Sequence, residues 1–147
     1  MVIVSSLSSP QDRLNYILKR ANLIVDGELG NVPTAYKDKL RWVLKHNKLK
    51  YETNYMRPGI HGYKTPMPAS GTATFSTQTI RLTSLLWYNL QSNEQLLVQE
   101  IDYVIMHETF HLVKGNFYHK RYDMDNVLES WGFYTSYYDY HKKHWKE

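Results

Sequence analysis

Apolar residues recur at helical spacing soon after the start of the chain, where Leu14, Ile17, Leu18, Ala21 and Ile24 form one stripe. Ser9-Pro10-Gln11-Asp12 just before it has the chemistry of a helix start: a hydroxyl that can cap, a proline suited to the first helical position and an acid that favours the dipole. Gly27 and Gly30 end that helix. A second begins near Pro33-Thr34, burying Tyr36, Leu40, Val43 and Leu44 and leaving Lys37, Lys39, Arg41 and Lys45 in water. From Lys50 to Met56 the pattern turns strand-like. Arg57 to Gly71, with Pro58, Gly59, Gly62, Pro66 and Pro68, reads as loop. Thr72 to Ser76 and Thr79 to Leu82 alternate and are rich in Thr, which predicts a hairpin turning at Thr77-Gln78.

Leu85, Leu86 and Leu90 predict a short helix. Ser92 with Gln95 offers a capping box for a longer one, whose inner face is Leu97, Ile101, Val104, Ile105 and Leu112 and whose stop is Gly115. A last helix starts near Asp123, with Met124, Val127, Leu128, Trp131 and Tyr138 inward. The expected fold is α+β: helices packed on a small antiparallel or mixed sheet, one domain over residues 1–147.

Composition narrows the chemistry. The 147 residues are 42% hydrophobic and include no cysteine, so disulfides, thiolate zinc sites, iron–sulfur clusters and cysteine nucleophiles are all excluded. Any metal must be held by His, Asp or Glu. No segment approaches the roughly 20 apolar residues of a membrane span, and the opening residues lack the basic region of a secretory signal. A soluble, cytoplasmic protein is expected, with no membrane partner. The formal charge of +4 is compatible with weak DNA contact without requiring it.

The chemistry concentrates in His107-Glu108-Thr109-Phe110-His111. Residues four apart share a helix face, so the two imidazoles can point at one ion. Chance would place this pattern somewhere in such a chain with an expectation of roughly 0.02. Zinc with three protein ligands keeps a position for water and lowers its pKa toward roughly 7. Glu108 would then be the general acid/base of a hydrolysis. A third ligand is required, and two residues could supply it: His119, just past Gly115, and Glu129 on the last helix. Both three histidines and two histidines with a glutamate occur at catalytic zinc sites.

The stretch Ser70 to Leu82, the His107–His111 motif and the following His119-Lys120-Arg121-Tyr122-Asp123-Met124 together resemble the SprT-like metallopeptidase family of zincins. The resemblance covers about the C-terminal half of the chain. It implies His107, His111 and His119 as zinc ligands, Glu108 as acid/base, a protein or peptide substrate, and, since some relatives act on proteins attached to DNA, a possible setting on DNA. The stretch between His111 and His119 is shorter than that family leads one to expect, Lys120 stands where a glycine often follows the third histidine, and the Cys-rich zinc ribbon of some members has no counterpart. With Glu129 as third ligand the chain would instead be similar to gluzincin-type peptidases. A zincin scaffold that binds zinc without catalysis is the alternative from another functional class.

Further expectations are weaker in specificity. Thr79 to Leu82 is the strand expected to pair with extended substrate. Tyr118, Tyr122 and Tyr134 are close enough in sequence to the ligands to offer an oxyanion a hydroxyl. Asp102 is a candidate to orient a ligand imidazole. His46, His61, His141 and His144 read as structural or surface residues.

Overall fold

In the computed structural model, the described residues are 2–53, 56–57, 67–117 and 119–135. Ser9 does cap the first helix: its side chain accepts from the Asp12 amide, and α1 runs Pro10–Val25. α2 spans Thr34–Lys45 and buries Tyr36, Leu40 and Val43 of the face its periodicity predicts, while Leu44, also expected there, is half-buried. These two helices pack together and against the long helix α4, Glu94–Lys114. The cap of α4 is Asn93, whose side chain accepts from the Leu96 amide, rather than Ser92 with Gln95. An asparagine amide oxygen one residue nearer reaches the same class of orphan donor, so the start shifts without a change of mechanism.

The sheet is mixed and three-stranded, in the order β1-β5-β4: β1 is Leu49–Glu52, β4 is Gly71–Thr74 and β5 is Thr79–Thr83. β4 and β5 form the expected hairpin, antiparallel with Thr74 opposite Thr79. Gln78 adopts a φ of 56° in the turn. β1 runs parallel to β5, with Leu49 opposite Ile80 and Tyr51 opposite Leu82. That pairing puts Leu49, Ile80 and Leu82 on the face covered by the helices. On the other face Arg81 donates to Glu52 at 2.8 Å and to Thr74 at 3.0 Å, joining all three strands.

The strand predicted over Lys50–Met56 ends earlier, at Glu52. β2 (Met56–Arg57), which starts on the last residue of that expected strand, and β3 (Met67–Pro68), inside the stretch read as loop, pair antiparallel as a separate two-stranded unit. α3, Leu85–Leu90, is the short helix after the hairpin. The last helix, α5, covers Met124–Ser130 and buries Met124 and Leu128. Trp131 follows it as the cap, half-buried, and Tyr138 lies outside the described residues. No helix among the described residues is long and apolar enough to cross a membrane.

Candidate metal centre

His107 and His111 lie one turn apart near the end of α4, with ring centroids 5.1 Å apart. The helix stops at Gly115, whose φ of 92° suits a residue without Cβ. The chain then turns back over its own last turn. Phe117 is buried there, tilted against the His111 ring at 4.8 Å and packed edge-on to Phe110 at 5.7 Å. Tyr122 meets Phe117 at 4.7 Å. This aromatic packing anchors the 3-10 turn His119–Tyr122, which delivers His119. The His119 ring sits 4.7 Å from that of His107, and its Nε2 lies 3.1 Å from Nε2 of His111. One nitrogen from each of the three imidazoles falls within 4.8 Å of the others.

The donor set suits a transition-metal cation. Imidazole nitrogens bind zinc at about 2.0–2.1 Å, and two such donors at a tetrahedral angle stand roughly 3.3 Å apart. The His111–His119 separation of 3.1 Å is of that size. Three neutral ligands would also preserve the charge of the ion and leave it strongly acidifying toward a fourth donor.

Glu108 follows His107 directly and is only 5% exposed. Its Cγ lies 3.4 Å from where a Cβ on Gly71 would stand. The same hypothetical Cβ would collide with Val104 and come within 3.1 Å of the Arg81 carbonyl oxygen. Glycine at 71 therefore lets α4 settle directly on β4, with the Glu108 side chain starting out on the side of the helix that faces this strand. β4 is an edge: among the described residues, nothing pairs with its outer side.

Behind the imidazoles is a polar group that sequence reasoning did not single out. Tyr103, one turn before His107 on α4, has its hydroxyl 3.0 Å from His107 Nδ1. The same hydroxyl donates to Asp125 Oδ1 on α5. Tyr103 is 2% and Asp125 3% exposed. Burial, reinforced by the Asp125 charge and hydrogen bond and by Glu100 and Glu108, raises the Tyr103 pKa well above its ordinary value, so the phenol keeps its proton. The spacing of four between Tyr103 and His107 was the available signal. Nothing local marks Asp125, which comes from another helix.

No family model, no curated protein and no solved structure matches this chain.

The remaining candidates fall elsewhere. Glu129 is exposed on α5 and is not part of the cluster. Asp102 does not orient an imidazole: both its oxygens accept from Arg20 of α1, at 2.9 and 2.7 Å. Burial pushes the Asp102 carboxyl up despite that guanidinium, while the hydrogen bonds that Arg20 donates to Asp102 hold the guanidinium's own pKa up. Thr79 to Leu82 cannot pair with substrate, because β5 is the central strand, bonded on both sides; among the described residues the edge beside α4 is that of β4. Tyr122 is committed to packing against Phe110 and Phe117, Tyr134 is half exposed beyond α5, and Tyr118 lies outside the described residues. His46 stacks on Trp42 at 4.2 Å and bonds to its carbonyl, a surface role. His61, His141 and His144 lie outside the described residues.

Proposed function

We propose that this chain is a zinc-dependent metallopeptidase of the SprT-like, zincin type, with His107, His111 and His119 as ligands and Glu108 as general acid/base. The observation that carries the reading is the convergence of three imidazoles from two separate elements, with the buried Glu108 next to His107 in the chain. Zinc, when bound, supplies a water acidified toward neutrality and a Lewis acid for the scissile carbonyl. The chain supplies the rest. Glu108 accepts a proton from the attacking water as the C–O bond forms, and returns it to the amine as the C–N bond breaks. β4, whose outer side is unpaired among the described residues, offers an edge to an extended peptide, whose main chain can pair with it while its scissile bond lies against the end of α4. The basic balance of the chain is compatible with protein substrates held on DNA.

The test is cleavage of an unfolded protein by the zinc-loaded chain. Glu108→Gln should retain zinc and lose activity by roughly 10²–10⁴-fold, the usual contribution of a positioned acid/base. Equal cleavage by wild type and Glu108→Gln would remove the assignment of Glu108. Zinc binding with no cleavage by wild type would favour a non-catalytic zincin scaffold.

A further inference from the structure

We propose that Tyr103 and Asp125 are positioning residues that hold His107 in one tautomer, with its proton on Nδ1, so that Nε2 presents a lone pair to the metal. The inference deepens the metal-centre reading above and rests on it.

The argument turns on how one proton is shared. A phenol has a single hydrogen to donate. Here it goes to Asp125 Oδ1, since a carboxylate is a stronger acceptor than a neutral imidazole nitrogen. The Tyr103 oxygen is left as an acceptor towards His107 Nδ1, 3.0 Å away, and the hydrogen on that contact must then come from the imidazole. A neutral imidazole carries one N–H. With that hydrogen on Nδ1, Nε2 is a bare donor atom. Reversing the chain, with the phenol donating to His107, would place the proton on Nε2 and remove the ligand.

The arrangement also commits two helices to the same site. Tyr103 is fixed on α4 by its near-total burial, and Asp125 stands in the first turn of α5. The short segment from His119 to Asp125 thus contributes both a candidate ligand and the anchor that orients another. Carboxylates hydrogen-bonded directly to ligand histidines are the familiar form of such support; here a phenol is interposed, which lets an acid on a neighbouring helix reach the imidazole.

Nitrogen-15 NMR of the metal-free 147-residue chain reads the tautomer directly. Wild type should show His107 protonated at Nδ1 and bare at Nε2. Tyr103→Phe keeps the ring and removes the acceptor, so the population should move toward the Nε2–H form. Chelator competition should then show zinc affinity lower by about 10–100-fold, the usual effect of losing such support. Asp125→Asn, close to isosteric, should move both readouts in the same direction, and it decides the matter if Tyr103→Phe does not fold. The relay is overturned if wild-type His107 carries its proton on Nε2, or if a folded variant leaves tautomer and affinity unchanged. A wild-type chain that binds no zinc while showing the Nδ1–H tautomer overturns the metal reading instead. The two failures are therefore distinguishable.

Discussion

His111 and His119 face each other nitrogen to nitrogen, with 3.1 Å between their Nε2 atoms. Two lone pairs at that distance repel unless a proton or a cation lies between them. A shared proton satisfies one pair of rings; a metal ion also accounts for the third, since His107 closes on His119 to 4.7 Å between ring centroids. The contact is made by a segment that crosses back after Gly115, so an ion there would staple the 3-10 turn onto α4.

Zinc should accordingly stabilise the fold through both elements. At a hundredfold excess over Kd, binding to the native state alone contributes about 2.7 kcal/mol, roughly 5–10 °C in Tm for a chain of this size. His119→Ala should abolish most of that gain, whereas Glu129→Ala, on the exposed face of α5, should keep it. Thermal melts with zinc and with chelator compare the variants directly. An unchanged gain in His119→Ala would remove that residue from the ligand set.

Gly71→Ala tests the seating of α4 on β4. The added methyl meets Val104 and the Arg81 carbonyl before anything else. Overpacking of this kind costs about 1–3 kcal/mol. Because Glu108 lies against the same position, the proposed peptidase activity should fall further than stability alone explains. Val104→Ala in the same chain makes room and should restore part of the lost stability. Denaturant melts of both single variants and the double variant give the coupling; strictly additive effects would show that the contact is not what resists the methyl.

Much of this architecture could be read in advance, and its gaps have physical causes. The Ser9 cap, the stripe from Ile17 to Ile24 and the Gly115 stop are local signals, and each states its own structure. The spacing of His107 and His111 likewise places both rings on one helix face. The parallel pairing of β1 with β5 is different: it joins Leu49 to Ile80 across some thirty residues, and alternation within either strand says nothing about its neighbour. That is why β5 looked like a candidate edge and β4 did not. Asp102 illustrates the same limit, since its partner Arg20 lies on α1, 82 residues away in the chain. Tyr103 was half legible, being one turn from His107. Asp125 was not legible at all, because only the packing of α5 on α4 brings it there.

The Arg20–Asp102 pair should matter for stability and not for metal. Its two hydrogen bonds tie α1 to α4 with side chains only 19% and 14% exposed. Asp102→Ala takes the acid away from a largely covered guanidinium, which keeps the neutral Tyr16 as a side-chain partner, at a cost of about 1–3 kcal/mol. Removing both partners should cost less than the sum of the two single changes. Zinc affinity should be unaffected in all three variants, since neither residue touches the imidazoles. Weaker zinc binding in Asp102→Ala at full folding would return that acid to the site.

Acid should first release the start of the chain. Glu94, the first residue of α4, accepts from the amides of Val4 and Ser5 at 2.6 and 2.7 Å. Trp87 Nε1 donates to the Val4 carbonyl and pins the same turn. Burial alone would raise the Glu94 pKa, but those N–H bonds outweigh it and leave the group below its ordinary value of 4.5. The unfolded chain therefore binds the proton more readily than the folded one. The contribution of Glu94 to stability is fully present above pH 4.5 and is lost as pH falls through the lower folded value. Amide exchange at Val4 and Ser5 should accelerate across that window while exchange in the core of α4 does not. Glu94→Gln should flatten the acid dependence and cost about 1 kcal/mol at neutral pH. Identical acid profiles for Glu94→Gln and wild type would mean that the segment is held by Trp87 and the burial of Val4 instead.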